Sequence, residues 1–411
     1  MYMTTGEVIR RIRKSIGMTQ TELGGLLNFS QPAISGLERG GPASHDVRVL
    51  RLVARALQVP LAILVVESDE EADVDRRNFF RAGALGGAGA AMVAANVPAH
   101  AASSGIKVGA SDVAQITDSI NQIHELDLVV GGDRLCHLAA GQARYVQQLL
   151  DSGSYNEDTG KALATTTAEM MTAAGWVHYD AERRNAARRY YADAAQTSAA
   201  AGDGIATSHA LLNASILDLD TDGLEGLPGR QPRPQDSVHL TQAAQDAARR
   251  SGGPKVRALT TLREAQALGA ASDKPAMEKT LSRAHRAYTS GRGYDPDWVW
   301  LPEAEFNGLT GISYVGAGDY NQAVAYLQEA IAGTAQWPRE RSVWQLELAH
   351  THIKAGDAAH GCSLLTANFN SISAVGSARL QRKLDAIATA VRPHAAVAEV
   401  KQFLGMRATL T

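Results

Sequence analysis

The 411-residue sequence predicts an all-α protein. A small N-terminal domain of five helices comes first, and an α-solenoid of helical hairpins follows it. Three observations carry that expectation. Residues 19–39 hold two helix starts in close succession around one tight turn. From about residue 110, apolar residues recur at three- and four-residue spacing, with no alternating β pattern. A segment near residue 175 returns near residue 311, the mark of internal repetition.

The N-terminal elements can be justified in order. Glu7 to Lys14 is a basic amphipathic first helix with Val8, Ile9 and Ile12 inward. Thr19 and Glu22 form a capping box that starts the second helix, to which Leu23, Leu26 and Leu27 give an apolar stripe. Asn28 follows, where the turn needs a residue tolerant of left-handed backbone angles. Ser30 caps the third helix, with Pro32 in its first turn, where a missing N–H costs nothing. Ile34 and Leu37 hold that helix to the domain, so Gln31, Pro32, Ser35, Gly36 and Arg39 point elsewhere. Ser44 or Asp46 caps a fourth helix carrying Val49, Leu50, Val53, Ala54 and Leu57. Pro60 opens a short fifth, ending near Val66. Two short helices at a steep angle, the second with an exposed polar face, can reach into the major groove of DNA.

Residues 5–66 resemble the Cro/C1-type (XRE) helix-turn-helix family. The matching positions are Arg13, Gly17, Thr19, Gln20, Leu23, Ser30, Ile34, Ser35, Glu38, Gly40, Leu50, Leu52, Ala54 and Leu57. The resemblance implies a DNA-binding surface of Thr19, Gln20, Ser30, Gln31, Pro32, Ser35, Gly36 and Arg39. Gln20 would bond the DNA backbone at a helix N-terminus. Gln31 would read a base edge, because a carboxamide pairs bidentately with adenine. Ser35 and Arg39 lie further along the same face, with Arg39 on phosphate, and Arg13 with Glu38 would form a structural ion pair. Gly24, Gly25 and Gly36 depart from the family's better helix formers, at about 0.5–1 kcal/mol each. Gly36 also leaves a base-facing position without a side chain.

Charge divides the chain in the same way. Residues 1–66 carry eight Lys/Arg against four acids, a balance of +4, whereas the whole chain is −3 and the remainder therefore −7. Only the N-terminal part suits a polyanion. Cys136 and Cys362 lack any CxxC or Cys/His neighbourhood and read as small buried hydrophobes of a reducing cytoplasm. No signal peptide and no 18-residue apolar run is apparent. The segment 75–101 joins Arg76-Arg77, Phe79-Phe80 and an Ala/Gly-rich stretch, superficially like a twin-arginine export signal. It lies behind the basic domain and is barely hydrophobic, so residues 67–110 are expected to be a linker.

Beyond it, Gly175 to Tyr179 and Ala187 to Ala194 align with Gly311 onward and Ala323 to Ala330 at one offset of 136 residues. That is four times the ~34-residue tetratricopeptide period. Residues 111–411 therefore resemble tetratricopeptide-type (TPR-like) hairpins, serving in sensing and dimerisation. The segments 254–271 with 273–290, and 301–316 with 319–335, are expected hairpins. The insert Asp220 to Asp236 is expected to be a surface loop. Tyr179, Tyr190, Tyr314 and Tyr326 read as repeat packing. Candidate ligand-binding residues are Trp298 and Trp300, beside Asp295 and Asp297, and Arg184 and Arg188 within a basic patch that includes Arg183 and Arg189.

No nucleophile elbow, P-loop or HExxH motif is present, so neither enzyme activity, cofactor nor metal is expected. His350 and His352 fall roughly 200° apart on a helix, which argues against chelation. The expected protein is a cytoplasmic, homodimeric transcriptional regulator that binds double-stranded DNA at a palindromic operator. A peptide or small-molecule effector would act through the helical repeats, with no membrane involvement. That layout is similar to Gram-positive receptors for peptide pheromones. The alternative is a protein-interaction scaffold that tethers a partner to DNA without a small ligand.

Overall fold

The computed structural model describes residues 4–64, 106–219, 232–290 and 292–409. Their helices group into two compact units that divide at the 160/161 junction. The first unit contains α1 (Thr5–Ser15), α2 (Gln20–Leu27), α3 (Gln31–Glu38), α4 (Val47–Ala56), α5 (Leu61–Leu64), α6 (Ala110–Val130) and α7 (Gly132–Ser152). Helices α6 and α7, which the sequence reading counted with the helical repeats from residue 111, belong to this first unit. Helices α6 and α7 pack on α1 and α5, and the Gln122 amide donates to the Gln58 carbonyl at 3.4 Å. The linker and the twin-arginine-like segment at 75–101 lie outside the described residues.

Local chemistry sets each N-terminal helix. Thr4 and Glu7 form a capping box on α1, and Thr19 and Glu22 form the expected one on α2. Helix α2 ends on Asn28 in the left-handed conformation at φ 57°, from which Phe29 N–H closes onto the Gly24 carbonyl at 2.8 Å. Ser30 caps α3, with Pro32 in its first turn. Asp46, rather than Ser44, caps α4, because Ser44 sits in a short 3₁₀ turn. Val8, Ile9, Ile12, Leu23, Ile34, Leu37, Leu50 and Val53 are buried together. Leu26 is not: it is 61% exposed, at the edge of the face that Leu23 and Leu27 bury, about 100° round the helix from Leu27.

The second unit is a succession of hairpins. They pair α8 (Glu157–Asp180, its first turn preceding the junction) with α9 (Arg184–Ala200), α10 (Gly204–Ile216) with α11 (Pro234–Ala248), and α12 (Pro254–Ala270) with α13 (Lys274–Thr289). Then come α14 (Glu303–Gly316) with α15 (Tyr320–Gly333), α16 (Pro338–Lys354) with α17 (Ala358–Ser373), and α18 (Ala378–Val391) with α19 (Ala398–Ala408). One turn chemistry recurs through the array. A residue at positive φ, namely Gly202, Ser272, Gly318 or Gly356, precedes an aspartate whose carboxylate caps the next helix. The internal repeat is real in three dimensions. A Cβ on Gly175 would strike Tyr191, and one on Gly311 would strike Leu327, the residue aligned with Tyr191. Both glycines let the two helices of a hairpin approach closely. Buried hydroxyls, among them Thr167, Thr172, Thr260, Thr310 and Thr351, donate to carbonyls four residues earlier, so close packing leaves them satisfied.

One expectation needs correction here. The insert expected to run as a loop to Asp236 gives way to helix at Pro234, since proline is suited to a first helical turn; residues 220–231 are outside the described residues. An ionic contact also joins the two ends of this unit. Asp180, fully buried at the end of α8, accepts from Ser377 Oγ at 2.6 Å and Arg339 Nη2 at 3.5 Å. Arg379 Nε lies 3.6 Å from the same carboxylate, and Arg382 pairs with Glu182 at 3.0 Å. No helix among the described residues is long and apolar enough to cross a membrane.

Candidate nucleic-acid interface

Helix α3 presents Gln31, Pro32 and Ala33 as exposed residues, with Ser35 and Gly36 half-buried and Arg39 exposed at its end. Ile34 and Leu37 are buried beneath them. A Cβ on Gly36 would meet nothing, so the outer face has open space at that position. Thr19 and Ser30 are committed to helix starts. Thr19 Oγ accepts from Glu22 N at 3.1 Å and donates to its carboxylate at 2.8 Å, while Ser30 Oγ accepts from Ala33 N at 3.4 Å.

The polar residues form one connected chain. Arg13 and Glu38 make a buried bidentate pair, with Nε–Oε1 at 2.5 Å and Nη2–Oε2 at 3.0 Å. Gln20 Nε2 donates to Glu38 Oε2 at 2.7 Å, and Gln31 Nε2 donates to Gln20 Oε1 at 2.6 Å. The direction of the chain follows from its first member. An ionised Glu38 can only accept, so Gln20 must turn its NH₂ inward and its oxygen outward. Gln31 then spends one N–H on Gln20 and keeps an oxygen and a second N–H for the exterior. That is the acceptor–donor pair that adenine N6 and N7 require.

Electrostatics hold the chain in this state. Burial pushes the Glu38 carboxyl up, but hydrogen bonds from Arg13 and Gln20 and the fields of Arg13 and Arg10 outweigh it. The carboxyl therefore sits below the usual glutamate range. The link between Gln20 and Gln31 was not visible in the sequence, which placed one on phosphate and the other on a base. The two lie 11 residues apart, on different helices.

The candidate ligand residues of the second unit separate into different environments. Arg184 is a correction: it is buried, donates to the Leu217 carbonyl, and lies 5.7 Å from the Tyr179 ring. It falls inward because it shares a helix face with Ala187 and Tyr191, so it is not part of a surface patch. Arg188 is exposed and pairs with Asp218 at 3.1 Å. Trp298 stacks on His209 with ring centres 3.7 Å apart, and His209 contacts Glu169 at 2.6 Å. Trp300 is 42% exposed and meets Trp337 edge-on at 4.9 Å. Asp295 anchors this loop by accepting from the N–H groups of Lys255 and Val256 at the start of α12. Among the described residues, no ring contact, hydrogen bond or ion pair joins Trp298 or Trp300 to Arg184 or Arg188.

Comparisons with known proteins agree with the N-terminal geometry. Residues 9–64 match the helix-turn-helix family HTH_3. No curated protein matches the chain. Among solved structures, a Rap protein complexed with Competence and Sporulation Factor aligns with 72% of this chain and 98% of its own, at 11% identity and a TM-score of 0.42. That likeness is too distant to assign a function. Residues 9–64 are an XRE-type helix-turn-helix domain, and the chain carries it ahead of an array of helical hairpins.

Proposed function

We propose that this protein is a transcriptional regulator that reads operator DNA with α3, and that its helical hairpins dimerise the chain and sense a peptide or small-molecule signal. The observation that carries the reading is the Gln31–Gln20–Glu38–Arg13 chain. It anchors an exposed carboxamide to a buried ion pair and leaves free the two atoms needed to read adenine. Side chains held in advance lose less entropy on binding. Thr19, Ser30 and Pro32 set the entry angles of the two helices, Ser35 lies further along the same face, and Arg39 supplies a phosphate contact. The positive balance of residues 1–66 supports approach to DNA, and the negative balance of the remainder opposes it elsewhere. As a dimer, the protein would bind half-sites about 10 bp apart, or a multiple of that.

The test is selection of binding sites from random duplex DNA, comparing wild type with the Gln31→Ala/Ser35→Ala double variant. A two-fold symmetric motif that wild type enriches and the variant loses is the expected result. Equal enrichment by both proteins would remove α3 from the reading of sequence.

A further inference from the structure

A glycine inside a helix needs a reason, because it lowers helix stability about 4- to 5-fold relative to alanine. Most glycines among residues 4–64 have a reason within the domain. A Cβ on Gly6 would lie 2.6 Å from the Leu37 carbonyl oxygen, one on Gly24 2.6 Å from that of Phe29, and one on Gly41 2.9 Å from that of Gly36. Gly17 and Gly40 hold positive φ, at 71° and 81°. Gly25 and Gly36 have neither reason. Both sit within helices, neither has positive φ, and a Cβ on either would meet nothing within 4 Å.

Openness alone does not single out Gly36, but its place does. At about 100° per residue, the buried Ile34, Leu37 and Glu38 mark the inner side of α3, and Pro32 and Gly36 fall near the middle of the opposite side. The Gly36 carbonyl is covered, since it accepts from Gly41 N–H at 3.0 Å, while the space outside its Cα is open. Its neighbours there, Pro32 and Ser35, are short. Gln31 stands at the edge of the same face with its carboxamide held sideways by Gln20 at 2.6 Å. A carboxamide tethered in this way cannot extend toward a base, so the helix itself must come to the base.

We infer that Gly36 is a positioning residue: its missing side chain lets the α3 backbone approach the floor of the major groove and so brings Gln31 within reach of a base edge. This rests on the reading of α3 as the recognition helix and adds what sets its depth. Close approach of backbone to a ligand is a use for which glycine alone is suited. A methyl group at position 36 holds the helix off, and N–H···O bonds form over a range of only about 0.5 Å. The contact at risk is a bidentate carboxamide–adenine pair, which discriminates about 5- to 150-fold. Non-specific binding rests on phosphates and does not need the helix seated.

The experiment uses full-length protein and the duplex that wild type enriches from random DNA, with a scrambled duplex of equal length as the non-specific probe. Affinity for each is measured by fluorescence anisotropy at one salt concentration, beside hydrogen exchange over residues 20–40. Gly36→Ala is expected to raise protection by up to about 5-fold, yet to weaken operator binding about 10-fold with non-specific binding unchanged. Gly25→Ala is expected to raise protection in the same way and to leave both affinities as they were. Greater stability with poorer specificity is a result that a merely structural glycine does not give. Operator affinity retained or improved in Gly36→Ala would overturn the inference. So would a loss accompanied by lower protection, a loss shared with the scrambled duplex, or an equal loss in Gly25→Ala. If Gln31→Ala/Ser35→Ala loses the operator while Gly36→Ala keeps it, α3 stands as the recognition helix and only the role of Gly36 fails. If wild type enriches no motif, both fall together.

Discussion

Adjacent glycines in α2 should respond oppositely to alanine. A Cβ at Gly24 would lie 2.6 Å from the Phe29 carbonyl oxygen, whereas a Cβ at Gly25 would meet nothing within 4 Å. Ordinary carbon–oxygen contact needs well over 3 Å, so Gly24→Ala must push the chain apart. The segment concerned is the one Phe29 N–H closes onto Gly24 O. Overpacking of this kind costs about 1–3 kcal/mol, against a gain of about 0.8–1 kcal/mol from removing a helical glycine. The net expectation is a loss of up to about 2 kcal/mol at Gly24 and a gain of up to about 1 kcal/mol at Gly25. Residues 4–64 contain no tryptophan, so hydrogen exchange by mass spectrometry over residues 20–40 is the suitable assay. Protection should fall by up to about 30-fold in Gly24→Ala and rise in Gly25→Ala. Changes of the same sign at both positions would refute the steric account.

Four further outcomes are expected. Glu38→Ala strands the buried Arg13 and releases Gln20, which should destabilise the N-terminal helices by about 3–5 kcal/mol; near-normal hydrogen-exchange protection across α1–α3 would contradict this. The depressed Glu38 carboxyl adds stability above the usual glutamate range that is lost as pH falls through its lowered value. Asp180→Asn removes the carboxylate that gathers Arg339, Arg379 and Ser377, and should lower the stability of the second unit by about 3 kcal/mol in urea titrations followed by tryptophan fluorescence. Glu305 shifts the opposite way from Glu38. Its folded carboxyl binds a proton more tightly than the unfolded one, so stability should fall by about 3 kcal/mol as pH rises from 4.5 to about 7. Glu305→Gln should flatten that slope, and a slope that survives the substitution would assign it to another group.

Much of the N-terminal domain was legible because its signals are local. A threonine three residues before a glutamate, an asparagine at a left-handed position and a serine before a proline each act over one helical turn, and all three appear where expected. The hairpin array was legible through repetition, since Gly175 and Gly311 must each sit against a packing residue 16 positions on. The glycines of α2 looked alike in sequence, and the carbonyl that distinguishes Gly24 from Gly25 belongs to the following turn. Arg184 looked like a member of a basic patch, because four nearby arginines do not reveal which one shares a face with buried Ala187 and Tyr191.

By itself, then, the sequence determined where most of the N-terminal helices begin, which segments repeat, and which short domain has the charge to approach DNA. These are matters of backbone conformation, periodicity and composition, decided within a few residues. Tertiary structure alone decided which polar groups meet. Gln31 is linked to Gln20, and Asp180 to a serine 197 residues away. Contacts of this kind depend on how helices stack, and stacking is set by the whole core rather than by the residues that come together.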